Sequence, residues 1–181
     1  YYGTASPWLQ INLLRILQHF PPPTEEMTKG RLNSVLTHIL SKTEVTKSVN
    51  KNNADHAVLF EACNLIIKYG QESDLSLRQN AIQLLGKFVS VREPNIRYLG
   101  LASMTKLAVL SPDTAALITE HQARILYSLK DADISIRRRA LELLYAMCNK
   151  ANSVDIIHEL VQYIPRAEYD IMDELVLRIA I

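Results

Sequence analysis

Residues Asp131–Asn149 read DADISIRRRALELLYAMCN. Acidic residues come first, then Ile-Arg, an alanine and a run of leucines. Ile136, Ala140, Leu143 and Met147 recur at i, i+4, i+7 and i+11, which is one face of a helix. Arg137, Leu141, Leu144 and Cys148 form a second stripe beside it. The remaining face, Arg138, Glu142, Tyr145 and Asn149, is polar apart from one ring. A helix with two apolar stripes must be covered by more than one neighbour. That predicts a helix inside a stacked array.

The same grammar recurs along the chain. Arg92–Leu110 reads REPNIRYLGLASMTKLAVL, and Arg97 lies 40 residues before Arg137. NADHAVLFEACNLII (Asn53–Ile67) lies about one period further back, and SPWLQINLLRIL (Ser6–Leu17) earlier still. Downstream, YDIMDELVLRIAI (Tyr169–Ile181) answers ISIR with Met172 in the arginine's place, 35 residues on. A loose period of this size built on helix pairs indicates an all-α solenoid of HEAT or armadillo type, expected here as a right-handed superhelix.

The totals narrow the function classes. The chain has 181 residues, is 48% hydrophobic, and sets 20 Lys+Arg against 19 Asp+Glu for a net charge of +1. Such balance argues against a dedicated nucleic-acid binder, which usually carries a basic excess. Only 5 Gly and 7 Pro favour helices throughout. No apolar run reaches the ~18 residues of a membrane-spanning helix. The chain starts YYGT and ends inside an apolar helical pattern, so residues 1–181 are expected to be one segment of a longer protein. Cys63 and Cys148 lie 85 residues apart in apolar stripes, where small reduced core thiols are expected.

About nine helices follow from the stripes and stops. The first begins at Pro7, with Ser6 as N-cap, and its apolar face runs from Trp8 toward Phe20 until three prolines stop it. The second spans about Glu25–Lys42, and the polar Thr43–Asn53 reads as the longest loop. The third covers about Ala54–Tyr69 with Gly70 closing it; Asp74 caps the fourth. Pro94 opens the fifth, and the sixth runs about Thr114–Leu129. Asp131 or Asp133 caps the seventh, Asn152 or Ser153 starts the eighth, and the ninth begins near Glu168. Gly86 and Gly100 fall inside helices at a cost of ~1 kcal/mol each relative to alanine, which close helix crossing would offset.

Chemical motifs are sparse. The five histidines form no H-E-x-x-H, and neither cysteine sits in C-x-x-C, so no metal spacing is present. Nucleophile-elbow, P-loop and dinucleotide patterns are missing as well. No catalytic residue, metal ligand or cofactor is therefore assigned. The sharpest charged feature is Arg137, Arg138 and Arg139 with Lys130 just before them. One reading makes them a phosphate or phosphoinositide contact. The other has Arg137 bracing a turn through Asp131 or Asp133 while Arg138 and Arg139 stay solvated, since consecutive residues fan ~100° apart around a helix. Lys87, Arg92, Arg97 and Lys106 form a weaker basic face. Tyr145 and Tyr163 face either a partner or a repeat edge.

Several words are more specific than the pattern. SPWLQ (Ser6–Gln10), AVLFEA (Ala57–Ala62), REPNIRYLGL (Arg92–Leu101) and SLKDADISIRRRALELLYAMC (Ser128–Cys148) resemble the trunk of the adaptins. These are the large chains of clathrin adaptor complexes, and the words look nearest the alpha class. The likeness extends over the whole segment and is weaker at residues 24–50 and 109–122. It implies a non-enzymatic scaffold in clathrin-mediated endocytosis, at the cytoplasmic face of the plasma membrane in coated pits. In that family the trunk cradles a small sigma chain, pairs with a second large chain and helps present the medium chain that reads cargo. Membrane association then belongs to the whole complex. The family's basic lipid cluster and its appendage lie outside these residues, so no lipid or cargo residue carries over.

Other readings remain open at this point. The chain could belong to another vesicle-coat adaptor, or form a stand-alone helical-repeat scaffold that binds extended peptides. An enzyme built on helical repeats would need a convergent polar pocket. A direct membrane binder would act through Arg137–Arg139. The adaptor reading predicts an exposed apolar strip where a neighbour has been removed.

Overall fold

The computed structural model describes residues 3–42 and 49–180. Among them every regular element is helical: ten α-helices, with four short turns of 3-10 helix between some of them. The chain divides into two compact units, Tyr1–Leu84 and Leu85–Ile181.

The first unit is organised by α3 (Val49–Tyr69), with α1 (Pro7–Leu17) and α2 (Glu26–Lys42) packed on it. Val58, Leu59, Ala62, Cys63, Leu65 and Ile66 are all buried, so α3 is covered around most of its circumference. Each large apolar side chain removed from water contributes about 1.5–3 kcal/mol, offset by the entropy of ordering it. Gly70, at φ 58°, ends the helix in the left-handed region that glycine adopts without penalty. A buried carboxylate on α3 receives α1: Glu61 accepts from Arg15 Nε at 3.1 Å and Gln18 Nε2 at 2.6 Å. Asp74, directly before α4 (Leu75–Phe88), accepts from Asn33 and pairs with Lys29, both on α2.

The last turn of α4, from Leu85, belongs to the second unit. There α5 (Pro94–Ala108) lies along α8 (Ile134–Met147), and α8 also meets α10 (Tyr169–Ala180). Between them run α6 (Pro112–Ile118), α7 (Gln122–Tyr127) and α9 (Ser153–Tyr163). The expected faces of α8 are present: Ile136, Ala140, Leu141, Leu143, Leu144 and Met147 are buried. Pro94 fills the first turn of α5, where a missing amide costs nothing. Ser111 closes a reciprocal capping box with Thr114 at the start of α6. Asp133, of the two aspartates, caps α8 by accepting from Ser135 N at 2.8 Å.

Several expectations are corrected. Ser6 does not cap α1: at φ 41°, ψ 58° its backbone is left-handed, whereas a capping side chain needs the extended region. Helix α1 stops at Leu17, and Trp8 and Phe20 are 60% and 59% exposed instead of lining the core. The polar stretch after Lys42 is not all loop, because α3 takes it up from Val49; residues 43–48 lie outside the described ones. The expected sixth helix is broken by a 3-10 turn at Thr119–His121 into α6 and α7. Cys148 falls one residue past the end of α8 and is exposed.

That break has a cause in packing. His121 is buried at 6% exposure, and its ring lies on Gly86 of α4 so closely that a Cβ there would overlap it. At Gly100 a Cβ would meet Phe88 and the backbone of Leu85 only at ordinary van der Waals distance. Gly30, inside α2, has nothing within 4 Å of its added Cβ. Opposite signs follow for two helical glycines. Gly86→Ala should lower unfolding stability by about 1–3 kcal/mol through overpacking. Gly30→Ala should raise it by about 0.5–1 kcal/mol through helix propensity. Urea denaturation of both variants checks this, and a stabilised Gly86→Ala would refute the contact.

Candidate functional site

Two arginines at the repeat spacing make the same set of bonds. Arg97, on α5, donates from Nη1 to the carbonyls of Val91 and Arg92 at 3.0 and 2.7 Å. Arg137, on α8, donates from Nη1 to the carbonyls of Asp131 and Ala132 at 2.6 and 3.0 Å. In both cases the acceptors are residues i−6 and i−5, so each guanidinium closes the turn leading into its own helix. Each also reaches forward. Arg97 grips Asp131 through Nε at 2.9 Å and Nη2 at 3.2 Å, and Arg137 meets Glu168 at 2.6 Å. The planar fork of arginine allows one side chain to serve two turns. At the third position Met172 has no donor to continue the series.

Bracing by Arg137 was legible in the sequence, but its partner was not. The side chain bonds the carbonyl of Asp131 and pairs with Glu168, while the Asp131 carboxylate is taken by Arg97. Both side chains of the Arg97–Asp131 pair are largely shielded, and so is Arg137; Glu168 is 56% exposed. Arg137 also bonds the Tyr163 hydroxyl. Burial raises the Tyr163 pKa, and the Arg137 charge and hydrogen bond oppose that rise.

A second series uses aromatic faces. Arg139 donates to the Tyr98 hydroxyl at 2.7 Å, with its guanidinium carbon 5.0 Å from that ring's centroid, and pairs with Glu142. One step on, Arg178 sits 4.8 Å from the centre of Tyr145 and pairs with Glu174. Cation–π contacts at partly exposed sites are worth about 0.5–1 kcal/mol. They tie α5 to α8 and α8 to α10.

The expected triple arginine therefore fans apart. Arg137 and Lys130 face one cleft, while Arg139 turns to Tyr98 and Arg138 is exposed without lining the cleft. The cleft has a volume of about 430 Å³, within the usual range for small binding sites. Leu126, Leu129 and Tyr163 supply apolar surface; Lys130, Asp131, Arg137, Glu159, Gln162, Arg166 and Glu168 carry the polar groups. Arg166, Glu159 and Gln162 were not singled out by sequence. They come from the end of α9 and the turn after it, and no helical stripe aligns them with Lys130. Of the weaker basic face, Arg97 serves the brace, and Lys87, Arg92 and Lys106 are exposed.

No group of metal-ligating side chains occurs among the described residues. No described helix is long and apolar enough to cross a membrane. The Cys63 thiol is pushed up to about 12 by complete burial, far from a reactive thiolate. The Cys148 thiol, though the residue is exposed, is also raised, by partial desolvation. The His121 pKa is lowered, chiefly by burial and then by the Arg124 charge, with Glu120 opposing.

Residues 2–181 match the adaptin N-terminal region family. The chain is 51% identical over 181 residues to AP-2 complex subunit alpha-1 of Arabidopsis thaliana, covering 100% of this chain and 18% of that protein. It is 47% identical over 182 residues to AP-2 complex subunit alpha-2 of Dictyostelium discoideum, covering 99% of this chain and 18% of the relative. Against AP-1 complex subunit gamma-2 of Arabidopsis thaliana the figure is 36% over 177 residues, with 98% and 19% covered. The chain thus spans about a fifth of the length of the relatives it matches.

Removing the brace should cost more than removing its exposed partner. Arg137→Ala is expected to lose about 2–3 kcal/mol, because the part-buried Asp131 carbonyl and its neighbour lose a charged donor and Glu168 loses its partner. Glu168→Gln should lose under about 1 kcal/mol, since that end of the pair is solvent-screened. Urea unfolding measures both, and equal losses would refute the carbonyl role. His121 gives a pH dependence. Its folded pKa lies below the unfolded value, so the unfolded chain binds more protons as pH falls through about 6.5. Stability should drop on acidification below that point, and His121→Gln should flatten the profile in a pH series of denaturation curves.

Proposed function

This chain belongs to the adaptin family, in its N-terminal region, and we propose that it is a scaffold span of a clathrin-adaptor large subunit of the alpha class. The observation that carries this is 51% identity across the whole chain to an AP-2 alpha subunit, against 36% to an AP-1 gamma subunit. The proposed role is mechanical and involves no chemical step. Helix pairs fixed by the bracing arginines hold the small sigma chain, the second large chain and the medium chain in register for cargo selection. The working place is then the cytoplasmic face of the plasma membrane, in coated pits, with membrane contact made by the assembled complex.

Exposed apolar stripes support an interior position in a longer trunk. Leu9, Leu13, Ile16 and Phe20 share one flank of α1 and its end, all more than half exposed. Val154, Ile157 and Val161 form an exposed apolar flank on α9, joined by Val176 and Leu177 on α10. Stripes of this kind are left where a stacked neighbour normally buries them. The relatives' greater length supplies such neighbours.

The test is co-expression of the full-length large chain with the sigma chain of each adaptor complex, followed by affinity capture. Selective recovery of the endocytic sigma chain is expected. Recovery of another complex's sigma chain would move the protein to a different coat, and recovery of none would overturn the scaffold reading.

A further inference from the structure

The cleft beside Arg137 has a charge pattern that the scaffold role does not use. Three cations and three carboxylates line it. Two of the carboxylates are already neutralised: Asp131 by Arg97 and Glu168 by Arg137. Arg137 is itself spent, with Nη1 on two carbonyls and Nη2 on Glu168. What remains is Lys130 and Arg166, both exposed and without a side-chain partner among the described residues, against the single carboxylate of Glu159. The mouth therefore carries one net positive charge. Behind it lie Leu126, the buried Leu129 and the half-buried Tyr163.

We propose that this cleft docks a short acidic peptide segment in which an aliphatic side chain neighbours a carboxylate. The aliphatic group covers Leu126, Leu129 and the Tyr163 ring, and the carboxylate bridges Lys130 and Arg166. Glu159 and Gln162 lie three residues apart on α9, on one side of the helix. Glu159 can accept a backbone N–H of the segment. Gln162 donates to His158 through Nε2 at 2.7 Å, which leaves its carbonyl oxygen for another. A multiply charged phosphate headgroup fits less well. It would bring several negative charges onto two free cations and against Glu159, and would leave the apolar wall unused.

The test is fluorescence anisotropy on the full-length protein, with a short fluorescein-labelled peptide alternating glutamate and leucine. A lysine–leucine peptide of equal length is the charge control, and inositol trisphosphate is the competitor. The acidic peptide should bind, and the basic one should not. Lys130→Glu with Arg166→Glu should weaken binding about tenfold or more, and Glu159→Gln should strengthen it about threefold. Neither change touches a buried or paired group, so circular dichroism should show an unaltered fold. Equal binding of the two peptides would overturn the proposal, as would an unaffected charge-reversal variant. Binding of inositol trisphosphate without the acidic peptide, lost in the same variant, would overturn it in favour of a phosphate ligand. The result is independent of sigma-chain capture, so failure of one reading is not failure of the other.

Discussion

A guanidinium that closes one turn and grips the next fixes how consecutive repeats sit in the second unit. Apolar burial alone cannot do this, because it is non-directional and tolerates sliding of one helix over another. Arg97 and Arg137 remove that freedom by bonding carbonyls at i−6 and i−5 and an acid 34 and 31 residues ahead, respectively. Breaking a largely buried pair such as Arg97–Asp131 costs about 3–5 kcal/mol, since the partner is left charged in a poor solvent. That is a large fraction of a domain's net stability. Met172, at the third position, marks where this bonding pattern stops.

The two bracing arginines work with two others that lie on aromatic rings. Tyr98–Arg139 and Tyr145–Arg178 lie on the same helices, α5, α8 and α10, and repeat at a similar step. Each contributes little alone, but each couples a rigid ring to a rigid fork and so limits rotation of a helix about its axis. The packing below shows the same economy. Gly86 lets His121 approach a helix backbone, and the chain meets that approach by breaking a helix into α6 and α7. First-unit polar contacts are different in kind. Glu61 receives Arg15 of α1 and Gln18 just past its end, and Asp74 receives two side chains of α2, so a carboxylate is the shared acceptor in each case.

Sequence periodicity was informative wherever burial is one-dimensional along a helix. The stripes of α8, the proline start of α5 and the glycine end of α3 could all be read from spacing. It was silent where the deciding contact is distant. Lys51–Asn53 is polar and lacks a stripe, yet it is helical because the buried run from Ala54 extends α3 backward. The break at His121 depends on a glycine 35 residues earlier. Ser6 has a capping side chain but sits in left-handed backbone, and Cys148 continues a stripe that its helix does not reach. The candidate site was half legible: Lys130 and Arg137 are neighbours in sequence, whereas Glu159, Gln162 and Arg166 arrive by way of α9.

Brace and cleft are one electrostatic arrangement. Without Arg97 and Arg137, the cleft would hold three uncompensated carboxylates facing two cations, and its mouth would attract cations. The inter-repeat bonds consume Asp131 and Glu168 and reverse that sign. The residues that set repeat geometry therefore also set which ligands the neighbouring surface accepts. In the scaffold role proposed for this chain, that coupling would let the surface be selective through charge alone. Register is maintained by guanidinium donors already committed to turn carbonyls and carboxylates, while recognition falls to the two cations left over. Lys130 and Arg166 can then vary with the partner without disturbing the stack, because neither holds any part of it together.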